Sequence, residues 1–213
     1  MENYKPQYEY LPPLGAHFLT PVYDWVCSLV GLGKGFKKKV ASAVDLKGDE
    51  TVLDVGCGTG ILLEILKKKY PAIKMIGVDP DQRALAIAER RFYKTGVRVE
   101  LKQAFGESLP VDGGSIDVCF STLAFHHMPD PVKFKTLQEV HRVLKNGGRL
   151  VISDFNKGDN PWFRTFLFLF EKAEYLRGSI KGLMLEYLPK AGFRDIRLVF
   201  KKFPNIQTVL ARK

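Results

Sequence analysis

A glycine loop set between a short hydrophobic strand and a helix limits the architectures open to this chain more tightly than any other segment: Thr51-Val52-Leu53-Asp54-Val55, then Gly56-Cys57-Gly58-Thr59-Gly60, then Ile61-Leu62-Leu63. Such a loop lets backbone approach a ligand closely and turns N–H groups at the helix start toward it. Beyond the loop, short β-branched runs alternate with longer helical stretches, a pattern that predicts a mostly parallel sheet wrapped by helices on both faces. The expected order is strand 51–55, helix 61–70, strand 73–78, helix 82–95 and strand 97–103. A second half reads as strand 116–121, helix 132–144 closed by Asn146-Gly147-Gly148, and strand 149–154. Two more strands, 193–200 and 206–211, are separated by the Pro204-Asn205 break, which makes seven in all.

With 213 residues and 46% apolar content the chain fits one domain with a real core. Its first fifty residues are aromatic-rich, with helices expected over 17–32 and 36–44; they and an insert over 156–192 are the candidate lid. The insert contains Trp162, Phe163, Phe166, Leu167, Phe168, Leu169 and Phe170, enough apolar surface to dock on the domain, line an apolar pocket or dip into a membrane surface. No segment reaches the roughly 20 apolar residues of a membrane span, and Met1-Glu2-Asn3-Tyr4-Lys5-Pro6 lacks a secretory pattern, so a cytoplasmic protein is expected. Cys27, Cys57 and Cys119 are too few and too scattered for a disulfide framework or a zinc site; no metal is expected. Lys and Arg outnumber Asp and Glu by 33 to 23, which favours anionic surroundings without choosing among them. The runs Lys37-Lys38-Lys39 and Lys67-Lys68-Lys69 read as solvated helix faces, with phosphate or membrane contact as the alternative.

The G-x-G-x-G spacing differs from the dinucleotide fingerprint G-x-G-x-x-G, so the loop gives no argument for NAD. Asp54 at the strand end repels a diphosphate and welcomes an ammonium. The next strand ends in Gly77-Val78-Asp79-Pro80, which places a second acid where it can hold a ribose diol with both oxygens; capping of the following helix is the alternative.

Together with Glu107-Ser108-Leu109-Pro110 and Arg142-Val143-Leu144-Lys145-Asn146-Gly147-Gly148, these motifs resemble the class I S-adenosylmethionine-dependent methyltransferases. Within that class the chain is most similar to the group holding the ubiquinone/menaquinone-biosynthesis C-methyltransferases and many small-molecule methyltransferases. The resemblance is strongest over 51–155. It implies a Rossmann-like, mostly parallel seven-stranded sheet with the last strand antiparallel, and S-adenosylmethionine as methyl donor. It implies that Asp54, Gly56, Cys57, Gly58 and Gly60 surround the methionine moiety, that Asp79 and Pro80 meet the ribose, and that Phe105, Gly106 and Glu107 flank adenine. Ser121 and Thr122 fall near the sulfonium, and Tyr23 can close over the methionine end. The family often has Gly-Asp-Ala-Glu where this chain has Ala104-Phe105-Gly106-Glu107, so stacking on Phe105 takes the place of an acceptor for the adenine amino group.

Methyl transfer from a sulfonium is an in-line displacement, and a base is needed only when the acceptor carries a proton that must leave. His126 and His127 follow Ser121-Thr122-Leu123-Ala124-Phe125; His126 is the expected catalytic base, with a purely structural pair as the alternative. His141, beside core positions in its helix, reads as structural. The expected acceptor is a small apolar or aromatic molecule, because the lid segments are aromatic and no nucleic-acid module is present. The competing readings are an RNA or protein methyltransferase, a cofactor-binding protein without turnover, and a peripheral membrane protein.

Overall fold

The computed structural model describes residues 31–155, 182–202 and 205–213. The expectations placed on Tyr23, on His17 and Cys27, on the helix over 17–32 and on the aromatic stretch from Trp162 to Phe170 lie outside those residues.

The described elements, in chain order, are α1 (Lys34–Ala41), β1 (Thr51–Val55), α2 (Ile61–Lys69), β2 (Lys74–Asp79), α3 (Gln82–Thr95), β3 (Glu100–Gln103) and β4 (Ile116–Thr122). A one-turn 3-10 helix, Phe125–His127, leads to α4 (Asp130–Val143), β5 (Leu144–Phe155), α5 (Leu183–Lys190), β6 (Arg194–Lys202) and β7 (Ile206–Arg212). The sheet runs β3-β2-β1-β4-β5-β7-β6, with β1 to β5 parallel and β7 inserted antiparallel between β5 and β6. The expected antiparallel last strand is found.

Period-two alternation sorts the side chains into two cores. Val52, Val118, Phe120, Val151 and Leu210 pack with Phe36 and Val40 of α1, Leu63 of α2 and Phe92 of α3. Leu53, Cys119, Leu150, Ile152 and Val209 pack with Leu137 and Val140 of α4 and Leu188 of α5. Helix α3 ends where local signals put it: Asp81 caps its first turn by accepting from the Arg83 N–H, and Gly96 at φ 68° takes the left-handed position beyond it.

β3 starts at Glu100 instead of 97 and α1 spans Lys34–Ala41 instead of 36–44, but the largest boundary difference lies between α4 and β5. Gly147 and Gly148 do not close α4, because Leu144 at its end is already extended and pairs with Ile116. The register slips before Arg149 pairs with Val118, so the glycines form an irregularity inside β5. There Gly147 N donates to Lys213 O, and Lys213 N donates to Gly148 O. The pull of two neighbouring strands outweighs the helix-stop signal of Asn-Gly-Gly.

Among the described residues, no helix is long and apolar enough to cross a membrane.

Candidate active site

The strand order reverses direction at β1, with β2 on one side and β4 on the other, and a crevice opens there at the carboxyl ends of the strands. The cavity in it is lined by Gly56, Cys57, Gly58, Asp79, Pro80, Phe105, Gly106, Glu107 and Thr122 from the sequence-derived set. Leu123, Ala124, His127, Met128 and Lys37 line it as well.

The glycine loop works differently from the expectation of N–H groups pointed at a ligand. Gly56 N and Cys57 N donate to Val78 O at 2.8 and 3.1 Å, Gly58 N donates to Asp79 Oδ2 at 2.8 Å, and Gly60 N donates to Cys57 O at 3.1 Å. The amides thus lash the loop to the end of β2. Closeness is still why glycine is needed: Gly56 sits at φ 74°, and a Cβ there would collide with the Ala124 side chain. Gly60 is the residue before α2 and packs on Phe92, so it shapes the turn from below the cavity wall.

Asp79 is the hub. Its Oδ2 accepts from Gly58 N and its Oδ1 from Asp81 N at 2.9 Å, which leaves further lone pairs on each oxygen for a diol. The helix-capping role belongs to Asp81 instead. Burial pushes the Asp79 carboxyl up to about 6, against the pull of the backbone N–H groups of Asp81 and Gly58. Asp54 lies fully buried beneath the loop, and its Oδ1 has no hydrogen-bond partner among the described residues. Burial raises its carboxyl to about 7, with the Lys37 ammonium pulling it down and Asp79 adding to the rise. An unpartnered buried carboxylate oxygen is costly, and Asp54 is not among the residues that line the cavity. Asp79, which lines the cavity with lone pairs left on both carboxylate oxygens, and Lys37, which lines it with an ammonium, fit the ribose diol and the carboxylate of S-adenosylmethionine.

Lys37 was not visible from sequence as a site residue, because it looked like part of a solvated run. The helix phase explains it: Phe36 and Val40 face the core, which turns Lys37 toward the crevice, where its Nζ lies 3.4 Å from Thr122 O. Ser121 is buried and donates from Oγ to Val55 O at 2.8 Å, tying β4 to β1 rather than lining the cavity. Thr122 Oγ1 is buried without a partner among the described residues. The next residue, Leu123, holds φ 59°, a strained conformation for a branched side chain of the kind stored at functional sites.

The histidines divide unequally. His127, not His126, lines the cavity, and burial holds it down at about 3, with His126 adding to the effect, so it is a neutral wall. His126 Nδ1 lies 2.7 Å from Asp154 Oδ1, and its ring stands edge-on to Phe155 at 4.9 Å between centroids. Asp154 also accepts from Phe125 N at 2.7 Å through Oδ2. Burial alone would raise the Asp154 carboxyl, yet the adjacent His126 imidazole and the Phe155 N–H hold it below its ordinary range. An ionised Asp154 fixes the proton on Nδ1 of His126 and leaves Nε2 as an acceptor. Asp154 also escaped the sequence reading, although an acid at the carboxyl end of a parallel strand is the same signal that singled out Asp79.

Burial pushes the Cys57 and Cys119 thiols well up, so both remain protonated. His141 stands edge-on to Phe193 in the core, and its ring blocks any side chain at Gly192.

Residues 52–148 match the family described as a methyltransferase domain. The chain is 29% identical over 208 residues to a ubiquinone/menaquinone biosynthesis C-methyltransferase of Geobacter sp. strain M21, covering 84% of this chain and 86% of that protein. It is 33% identical over 149 residues to a ubiquinone biosynthesis O-methyltransferase of Pseudomonas paraeruginosa, covering 70% of this chain and 57% of the relative. Among solved structures, a SAM-dependent methyltransferase from Aquifex aeolicus superposes with a TM-score of 0.62 at 27% identity, over 83% of this chain and 88% of the other. With a buried acid and a glycine loop lining one crevice of a seven-stranded sheet, the chain belongs to the class I S-adenosylmethionine-dependent methyltransferases, and it is similar to the quinone-biosynthesis methyltransferases.

Proposed function

We propose that the protein methylates a small apolar or aromatic acceptor of the phenol or quinol kind, with the His126–Asp154 pair taking the proton the acceptor gives up. The observation that carries this reading is the 2.7 Å contact between His126 Nδ1 and a fully buried Asp154, one residue from the cavity wall. Relatives whose names place them in quinone biosynthesis support the acceptor class.

S-adenosylmethionine supplies an electrophilic methyl group whose sulfur leaves as a neutral thioether. The chain's own part is placement. Asp79 takes the ribose hydroxyls, Phe105, Gly106 and Glu107 border the adenine, and the loop from Gly56 to Gly60 sets the depth of the methionine end. Lys37 would take the carboxylate and the buried charge of Asp54 would balance the ammonium, so the amino-acid tail would meet a matched pair of charges. Thr122 and Leu123 bring the β4 end against the reacting centre, where apolar walls keep water out. With the methyl group supplied by S-adenosylmethionine, the proton that the acceptor oxygen or carbon gives up would pass to His126 Nε2.

The reading is tested by turnover of a quinol and phenol panel with labelled S-adenosylmethionine; labelled product from neither class sinks it. Lys37→Gln should weaken S-adenosylmethionine about tenfold to a hundredfold, the worth of a charge-assisted hydrogen bond. Its affinity for methylthioadenosine, which has no carboxylate, should stay the same; equal losses for both ligands would remove Lys37 from this role.

The buried acids also set a pH dependence. Binding of an ammonium favours ionised Asp54, so binding releases a proton and affinity rises with pH. For a group at about 7 the ionised fraction climbs from roughly one tenth at pH 6 to nine tenths at pH 8, giving about a tenfold gain in affinity. Calorimetry across that range checks it, with Asp54→Asn as the variant expected to flatten the profile.

A further inference from the structure

We propose that the face formed by α1 and the edge strand β6 docks on an anionic lipid bilayer, independently of which acceptor the enzyme uses. Helix α1 carries four lysines and no acid, and β6 carries Arg194, Arg197, Lys201 and Lys202 against the single acid Asp195, which lies 4.0 Å from Arg212. The two elements are interlocked: Phe36 meets Phe200 edge-on at 6.4 Å, Lys39 Nζ stands 4.4 Å over the Phe200 ring, and Lys202 Nζ stands 6.0 Å from the Phe36 ring. These contacts hold Lys39 and Lys202 side by side at one edge of the sheet.

Apolar groups are exposed among these cations. Leu198 is 49% and Val199 40% exposed, and the β6–β7 register slips between Leu198 and Phe200, so Val199 is the extra residue turned out of the ladder. A strand edge with no further strand among the described residues, and with cations near exposed aliphatic side chains, offers an anionic bilayer both headgroup charge and a shallow apolar contact. The other lysine run differs in having an acid partner on its own helix. Lys68 pairs with Glu64 at 2.6 Å, while Lys67 donates to Ile73 O and Lys69 lies over Tyr70.

The docking face also has the right position. Lys202 pairs with Ile206, which pairs with Phe155, so this end of β6 lies at the carboxyl edge of the sheet where the cavity opens. Lys37 of the same helix lines that cavity. A bilayer held against α1 and β6 would therefore sit beside the cavity mouth, where an apolar molecule could pass between the two.

The test is flotation of the full chain with vesicles of phosphatidylcholine alone and of phosphatidylcholine with phosphatidylglycerol, at low and high salt. Binding is expected only to the anionic vesicles and is expected to fall with salt. Lys38→Glu and Arg197→Glu should each lower partitioning at least about fivefold, and together about thirtyfold, at roughly a factor of five per cation lost near the surface. Lys69→Glu/Lys74→Glu, with the same change in net charge, should bind as the wild type does. Melting temperature and S-adenosylmethionine affinity confirm that each variant is folded, and the wild-type salt series reads the surface without any substitution. Equal losses in both pairs, no anionic-vesicle binding at low salt, or binding to single-stranded RNA but not to vesicles would overturn the proposal.

Discussion

Asp79→Ala is expected to lower S-adenosylmethionine affinity by at least about a hundredfold, since two charge-assisted hydrogen bonds to ribose hydroxyls are worth about 3 kcal/mol or more together. The loss has a second source in the protein. Asp79 holds the Gly58 amide and the Asp81 amide at once, so its removal frees the loop that shapes the methionine end. Asp79→Asn keeps one acceptor and the shape, and should lose less than alanine does.

A stability control separates binding from folding. Burial raises the Asp79 carboxyl from 3.8 to about 6, so its favourable contribution to the ligand-free fold is present below about 4 and lost as pH rises through about 6. Above that pH the ionised group strains the ligand-free protein, and Asp79→Asn should melt no lower than the wild type at pH 8. Wild-type affinity in Asp79→Ala, measured by calorimetry, would take Asp79 out of the cofactor site.

His126→Ala is expected to reduce kcat by about a hundredfold to ten-thousandfold with a proton-bearing acceptor, the usual worth of a positioned general base. Its S-adenosylmethionine affinity should hold within about twofold, because the cavity is lined by His127 and not by His126. Asp154→Asn tests the positioning half of the pair: it keeps an acceptor for Phe125 N but loses the ionised partner that fixes the His126 proton on Nδ1. It should lower kcat while leaving KM for the acceptor nearly unchanged. A fall in affinity with kcat preserved would mean that the pair only braces the loop after β4.

The local grammar of the chain was legible. Alternating apolar residues gave the strands their two buried faces, and α3 spans Gln82–Thr95 in sequence and in structure alike, although its cap is Asp81 and not Asp79, the capping candidate in the sequence. The glycine loop and Asp79 were legible as well, because strand, loop and acid lie within thirty residues and are joined by adjacent parallel pairing.

The features that escaped a sequence reading depend on partners far apart along the chain. Lys37 reaches Thr122 across 85 residues and His126 meets Asp154 across 28, and neither pairing leaves a local periodicity to find. Of two adjacent histidines, the one favoured from sequence is held by Asp154 while its neighbour forms the cavity wall, a choice made by the 3-10 turn and not by composition. The same reason governs Gly147 and Gly148, read locally as a helix stop but drawn into β5 by strands on either side. Residue order along the chain was enough to say what each segment could form and which side chains carried usable chemistry. Which of those side chains meet was settled only on folding, because strand order and helix docking set distances that no local hydrogen bond or apolar period encodes.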